Sequence, residues 1–263
     1  MKCLFLAAGY ATRLYPLTEN FPKPLLEVAG RTILDRLIDD LETTGLIDGY
    51  AVVTNHKFAA HFRDWAAGRF GADAAGPGNC PLFGGRMAVV DDGTSTNETR
   101  LGAVRDIRFA LESLAWEDDV LVLAGDNLLS FSLASFLVYA REKGTSCVMR
   151  YHEPSLQRLR KSGVLDVDAS GRILSMEEKP AEPKAHWCCP PFYYYLQKDL
   201  ARLDEALEAG CGVDAPGSLV AWLSSVTPVH AMEMPGPRYD IGDLASYRSV
   251  CDLFASSAAS TPV

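Results

Sequence analysis

The run Cys3-Leu4-Phe5-Leu6-Ala7-Ala8 breaks at Gly9 into a small polar turn carrying Thr12 and Arg13, with Lys23 following between two prolines. An apolar run of this length ending in glycine reads as a buried parallel strand delivering a loop. In an open α/β sheet the ligand lies at the carboxyl end of such a strand. The small residues Ala8, Gly9 and Ala11, set around Tyr10 and Thr12, let backbone N–H groups approach an anion, and Arg13 and Lys23 add fixed positive charge. The physical reading is a cradle for a triphosphate. Ala11 is the awkward position, because a left-handed backbone there would carry a steric cost that glycine avoids.

Beyond this turn, strand-like and helix-like segments alternate. Residues 32–43 place Ile33, Leu34, Leu37, Ile38 and Leu41 on one helical face, with Gly45 at the end. A strand at 50–54, a helix at 58–67, a strand at 87–90, a helix at 102–114 and a strand at 120–124 follow. A helix near 133–143 and a strand near 146–151 close the series. Residues 69–85, rich in Gly, Ala and Pro, read as a loop excursion. Alternation of this kind implies βαβ units and a mostly parallel sheet. Farther on, Asp168-Ala169-Ser170-Gly171 joins two short strands as a hairpin. The strand at 120–124 runs into Gly125-Asp126-Asn127, which puts a carboxylate in the crevice of the first loop, although Asp-Asn after a strand is also ordinary turn chemistry.

Composition narrows the class. The chain has 263 residues, 48% of them hydrophobic and 22% charged, enough to bury a sizeable core. A net charge of −9 with no basic block argues against a nucleic-acid or anionic-membrane surface. No segment reaches the roughly 18 apolar residues of a membrane span. The N-terminal apolar run is too short for a signal peptide. Seven cysteines without metal-like spacing read as reduced thiols of a cytoplasmic protein.

Leu6-Ala7-Ala8-Gly9-Tyr10-Ala11-Thr12-Arg13-Leu14-Tyr15-Pro16-Leu17-Thr18, then Pro22-Lys23-Pro24-Leu25, resembles the signature of the sugar-1-phosphate nucleotidylyltransferases. Gly125-Asp126-Asn127, Gly163-Val164 with Glu178-Lys179-Pro180, and Tyr239-Asp240-Ile241-Gly242 resemble that family's later elements in the same order. The resemblance implies a Rossmann-like three-layer α/β/α fold, with residues 1–150 as the nucleotide-binding core. Residues 151–263 would then supply a small acceptor-binding β appendage and complete the core, all in one compact unit. It implies that Asp126 and Asp240 hold Mg²⁺, with Asp243 better read as a helix N-cap. Ala8 to Arg13 and Lys23 would bind the triphosphate, with Arg13, Lys23 and Asp126 in the catalytic roles. Leu101 and Gly102 would admit the base, with Asn97 and Arg100 as further base contacts. Asn127, Gly163, Glu178 and Lys179 would meet the acceptor. The aromatic run at 192–195 stands where relatives carry an acceptor-site strand, and reads as core and pocket wall.

The implied reaction joins an NTP to a sugar 1-phosphate, giving an NDP-sugar and pyrophosphate. A cytidylyltransferase for phosphocholine or an aminoalkyl phosphonate is the nearer alternative, since Tyr193 to Tyr195 with Glu177 or Glu178 could cage a cation. A non-catalytic regulatory protein on the same fold is the distant one. Classical P-loop chemistry is excluded, because G-x-x-x-x-G-K-(S/T) is absent. Base, sugar and homo-oligomerisation stay open at this level.

Overall fold

The computed structural model describes residues 1–75 and 80–259. The chain forms two compact units, interleaved in sequence. The first comprises Phe5–Arg100, Ala124–Ser132 and Gly236–Val263. The second comprises Met1–Leu4, Leu101–Leu123 and Leu133–Pro235.

In the first unit, strand Gly49–Thr54 is buried along its whole length, as an apolar segment covered on both faces must be. It pairs in parallel with Met87–Asp91, from Tyr50 opposite Met87 to Thr54 opposite Asp91. Helix Ile33–Thr44 buries the apolar stripe read from the sequence. Thr32 Oγ1 accepts from Asp35 N at 3.0 Å to start it, and Gly45, at φ 63°, ends it. Helix His56–Phe70 begins before the predicted span because Asn55 Oδ1 caps it by accepting from Phe58 N at 3.1 Å, and it runs on past the predicted end to Gly71, whose N–H donates to Ala67 O.

Residues 69–85 are not simply loop. The helix runs on to Phe70, and strands Asp73–Ala75 and Pro81–Phe83 pair antiparallel, the second also pairing with Met87–Asp91. Edge pairing gives the backbone its partners here, and local composition carries no trace of that. Residues 76–79 of this excursion lie outside the described residues. A separate core of Leu14, Leu26, Val28, Ile33, Leu128, Ile241 and Val250 ties the segments around the first loop to helix Leu244–Ala259.

In the second unit, strand Ser146–His152 pairs in parallel with Val229–Glu233 and antiparallel with Phe192–Tyr195 and Trp187–Cys189. The aromatic run is thus an antiparallel strand of a mixed sheet, buried at every position. The hairpin expected around Asp168–Gly171 is present, with Gly163–Val167 antiparallel to Ile173–Glu178 and to Trp187–Cys189. Two pairs of polar side chains meet inside this unit. Ser146 Oγ donates to Asp199 Oδ2 at 2.5 Å, and the Tyr194 hydroxyl donates to Asp119 Oδ2 at 2.7 Å. Strands and helices alternate through both units, the α/β class expected from the sequence. The seven cysteines are free thiols. Among the described residues, no helix is long and apolar enough to cross a membrane.

Candidate active site

The first loop is pinned from behind. Ala7 N donates to Val53 O at 2.9 Å, and Asn55 Nδ2 donates to Ala8 O at 2.9 Å. Ala11 takes the left-handed conformation (φ 47°), the costly state its Cβ made doubtful. Its carbonyl compensates by accepting from Leu14 N at 3.0 Å and from buried Thr18 Oγ1 at 2.8 Å. A Cβ at Gly9 would meet nothing within 4 Å, so this corner of the loop is open. The Tyr10 side chain is buried against Phe58, its ring centroid 6.2 Å away, which leaves only backbone for a ligand at that position. Burial also pushes the Tyr10 hydroxyl pKa up.

Gly9, Ala11, Arg13, Lys23, Pro24 and Asp126 line a cavity of about 170 Å³. Gly125 makes that possible: its N–H donates to Leu6 O at 3.1 Å, and a Cβ there would sit 3.3 Å from Pro24 Cγ. Lys23 opens a 3₁₀ turn whose prolines preset the backbone. Only 8% of Lys23 is exposed, and its Nζ lies 2.7 Å from Asp126 Oδ2 and 3.7 Å from Asp240 Oδ1. The structure therefore brings Lys23, Asp126 and Asp240 together from three distant stretches of sequence. Arg13 is exposed at the rim.

Asn127, expected at the acceptor, is placed as a brace behind Asp126. It is 1% exposed, its Nδ2 donates to Asp126 Oδ1 at 2.7 Å, and its Oδ1 accepts from Arg238 Nη1 at 2.6 Å. Sequence reasoning missed Arg238. The signal was its spacing from Asp240, since residues two apart on strand Arg238–Asp240 share a face. Asp243 is an N-cap, accepting from Ser246 N at 2.8 Å.

These oxygens suit a hard cation. Among the described residues, no group of three or more His, Cys, Asp or Glu could hold a metal. Two carboxylates are nevertheless what Mg²⁺ ordinarily takes beside substrate phosphates. The acidic pair at the cavity beside the first loop fits that ion.

Leu101, Gly102, Gly163, Glu178 and Lys179 lie in the second unit. Gly163 is opposite Glu178 in the hairpin, and a Cβ on Gly163 would fall 2.9 Å from both Glu178 Oε2 and Met176 Cε. The half-buried Glu178 carboxyl is lifted above the usual range by burial, with Lys179 pulling the other way. Lys179 is exposed, sits at φ 50°, and donates its N–H to Ser162 O at 3.0 Å. Gly102 has a backbone reason of its own. Its φ is 91°, and a Cβ would strike Val213 O at 2.7 Å. Leu101 precedes it, half-buried. In the loop of the first unit, Arg100 Nη1 donates to Asn97 Oδ1 at 2.9 Å, so these two meet each other.

The family model described as Nucleotidyl transferase matches residues 2–252. The chain is 28% identical over 253 residues to a UTP–glucose-1-phosphate uridylyltransferase of Synechocystis sp., covering 94% of this chain and 61% of that protein. It therefore spans about three fifths of that relative's length. A solved UDP-glucose pyrophosphorylase complexed with UDP-glucose shares the fold at TM-score 0.78 and 18% identity, over 97% of this chain and 98% of the other. CTP:phosphocholine cytidylyltransferase from Streptococcus pneumoniae does so at TM-score 0.70 and 19% identity, over 96% and 98%. With the family model spanning nearly every element described above, from the first strand into the last helix, this chain belongs to the nucleotidyl transferase family.

Proposed function

We propose that the chain joins an NTP to a sugar 1-phosphate, forming an NDP-sugar and releasing pyrophosphate. A phosphate oxygen of the acceptor attacks the α-phosphorus in line, a new P–O bond forms, and the α–β bridging oxygen leaves with pyrophosphate. Such a transfer needs little covalent help, so its catalysis is positioning and charge stabilisation. The backbone from Ala8 to Thr12 lies against the triphosphate, and Arg13 holds the β- and γ-phosphates. Lys23 stabilises charge gathering on the α-phosphate. Asp126 and Asp240 hold Mg²⁺, which when bound neutralises phosphate charge. Glu178 accepts from sugar hydroxyls, and Lys179 meets the acceptor phosphate.

One observation carries this reading: the buried Lys23 ammonium lies within ion-pair distance of both Asp126 and Asp240 at the cavity behind the first loop. A binding scaffold has no need of a lysine held there at the cost of desolvation. The phosphocholine alternative asks for an open aromatic cage. Tyr193, Tyr194 and Tyr195 are at most 4% exposed, and Tyr194 already donates to Asp119.

A pyrophosphate-release screen of each NTP against sugar 1-phosphates, phosphocholine and aminoalkyl phosphonates tests the proposal. Turnover with a sugar 1-phosphate is expected. Turnover confined to the non-sugar acceptors would transfer the reading to the cytidylyltransferase alternative. NTP binding without any turnover would make the chain a regulatory relative.

A further inference from the structure

Helix Gly217–Val226 opens on a buried glycine. Glycine is a poor choice there, since it weakens a helix relative to alanine. Its backbone does not demand glycine either, because Gly217 is not among the positive-φ positions. The reason lies in what faces it. A Cβ on Gly217 would fall well inside contact distance of Glu178 Oε2 and 3.0 Å from Met176 Cε. Gly163 presents the same two atoms with the same missing side chain from the opposite strand. The Glu178 carboxylate and the Met176 methyl therefore occupy a slot between two glycine backbones, one on the hairpin and one on the helix.

The obstruction at Gly217 consists of flexible side-chain ends, not backbone. A methyl group there would leave the fold in place and push the carboxylate aside. We propose that Gly217 is a positioning residue for Glu178: the absent side chain fixes where the carboxylate lies, and with it which acceptor hydroxyls Glu178 can receive. This inference rests on the acceptor role of Glu178 put forward above.

The test is a double-mutant cycle of Gly217→Ala and Glu178→Ala, assayed by pyrophosphate release with glucose 1-phosphate as acceptor. Each protein's melting temperature is measured alongside. Gly217→Ala is expected to melt at or above the parent temperature and to leave the NTP KM unchanged. It should raise the glucose 1-phosphate KM roughly tenfold, the scale of one displaced charge-assisted hydrogen bond. In the Glu178→Ala background the same substitution should add nothing, since sites that act through one another are non-additive. A parental acceptor KM in Gly217→Ala, with Glu178→Ala impaired, would overturn the positioning role and leave the acceptor site standing. An equal penalty in both backgrounds would also overturn it, by showing that the methyl acts on the acceptor or backbone directly. If Glu178→Ala itself kept the parental acceptor KM, the acceptor site and the inference would fall together.

Discussion

A lysine buried beside two carboxylates is costly to assemble, and removing it takes away the ammonium that both Asp126 and Asp240 approach. Lys23→Ala should cut kcat by roughly 10²-fold or more, the scale of removing one transition-state donor. NTP affinity should change only modestly, because the charge Lys23 meets develops in the transition state. Single-turnover kinetics with calorimetry decide it, and lost NTP affinity with intact single-turnover rates would make Lys23 a binding group. Glu178 predicts a pH effect. Burial raises its folded-state pKa, so its carboxylate exists above that value and protonates at a higher pH than an exposed glutamate. Acceptor affinity should accordingly fall early as pH is lowered. Its stability contribution has the opposite sense, present below the unfolded pKa and lost as pH rises through the folded one. Glu178→Gln should therefore be no less stable than the parent at neutral pH while binding acceptor more weakly and without that early pH dependence. A parallel KM-against-pH profile in the two proteins would remove Glu178 from the acceptor site.

At the scale of elements, two glycines make opposite predictions. Gly102 opens helix Ala103–Leu114 at φ 91°, and a Cβ there would meet the backbone carbonyl of Val213, which also accepts from Val104 N at 3.0 Å. Neither the dihedral nor that carbonyl can give cheaply, so Gly102→Ala should lose about 1–3 kcal/mol or more in chemical denaturation. Gly217→Ala, facing side-chain ends, should lose none. Local pattern made the helices and the hairpin legible, because amphipathic spacing and turn residues act over a few positions. The pairing of Asp73–Ala75 with Pro81–Phe83 and the antiparallel placement of Phe192–Tyr195 were not legible. The partner of Phe192–Tyr195 in the segment Val120–Ala124 lies far along the chain, and nothing in Phe192–Tyr195 states which neighbour it will meet or in which direction.

For the whole molecule, anything bound by the folded chain and not by the unfolded one stabilises it by mass action. An NTP with Mg²⁺ at a hundredfold its Kd should add about 2.7 kcal/mol, several degrees in melting temperature for a chain of this size. EDTA should abolish the shift, and so should Asp126→Asn or Asp240→Asn. A full shift in either variant with chelator present would sink the two-carboxylate assignment. The chemistry proposed to face the ligand was written locally: the Gly9–Arg13 turn, Lys23, Asp126, Glu178 and Asp240 are each read from a few neighbouring residues, since a loop's ability to meet an anion depends on its own small residues and charges. Tertiary structure alone decided which of these meet. Asp240 reaches Lys23 because strand Arg238–Asp240 pairs with Asn127–Leu129. Asn127 became a buried brace because Arg238 arrives on the same face of that pair. Gly217 acquired a role only when its helix was packed against Glu178. Chemistry carried by adjacent residues is encoded by adjacency, whereas the distances between carboxylate, ammonium and glycine are set by long-range packing, which no local window contains.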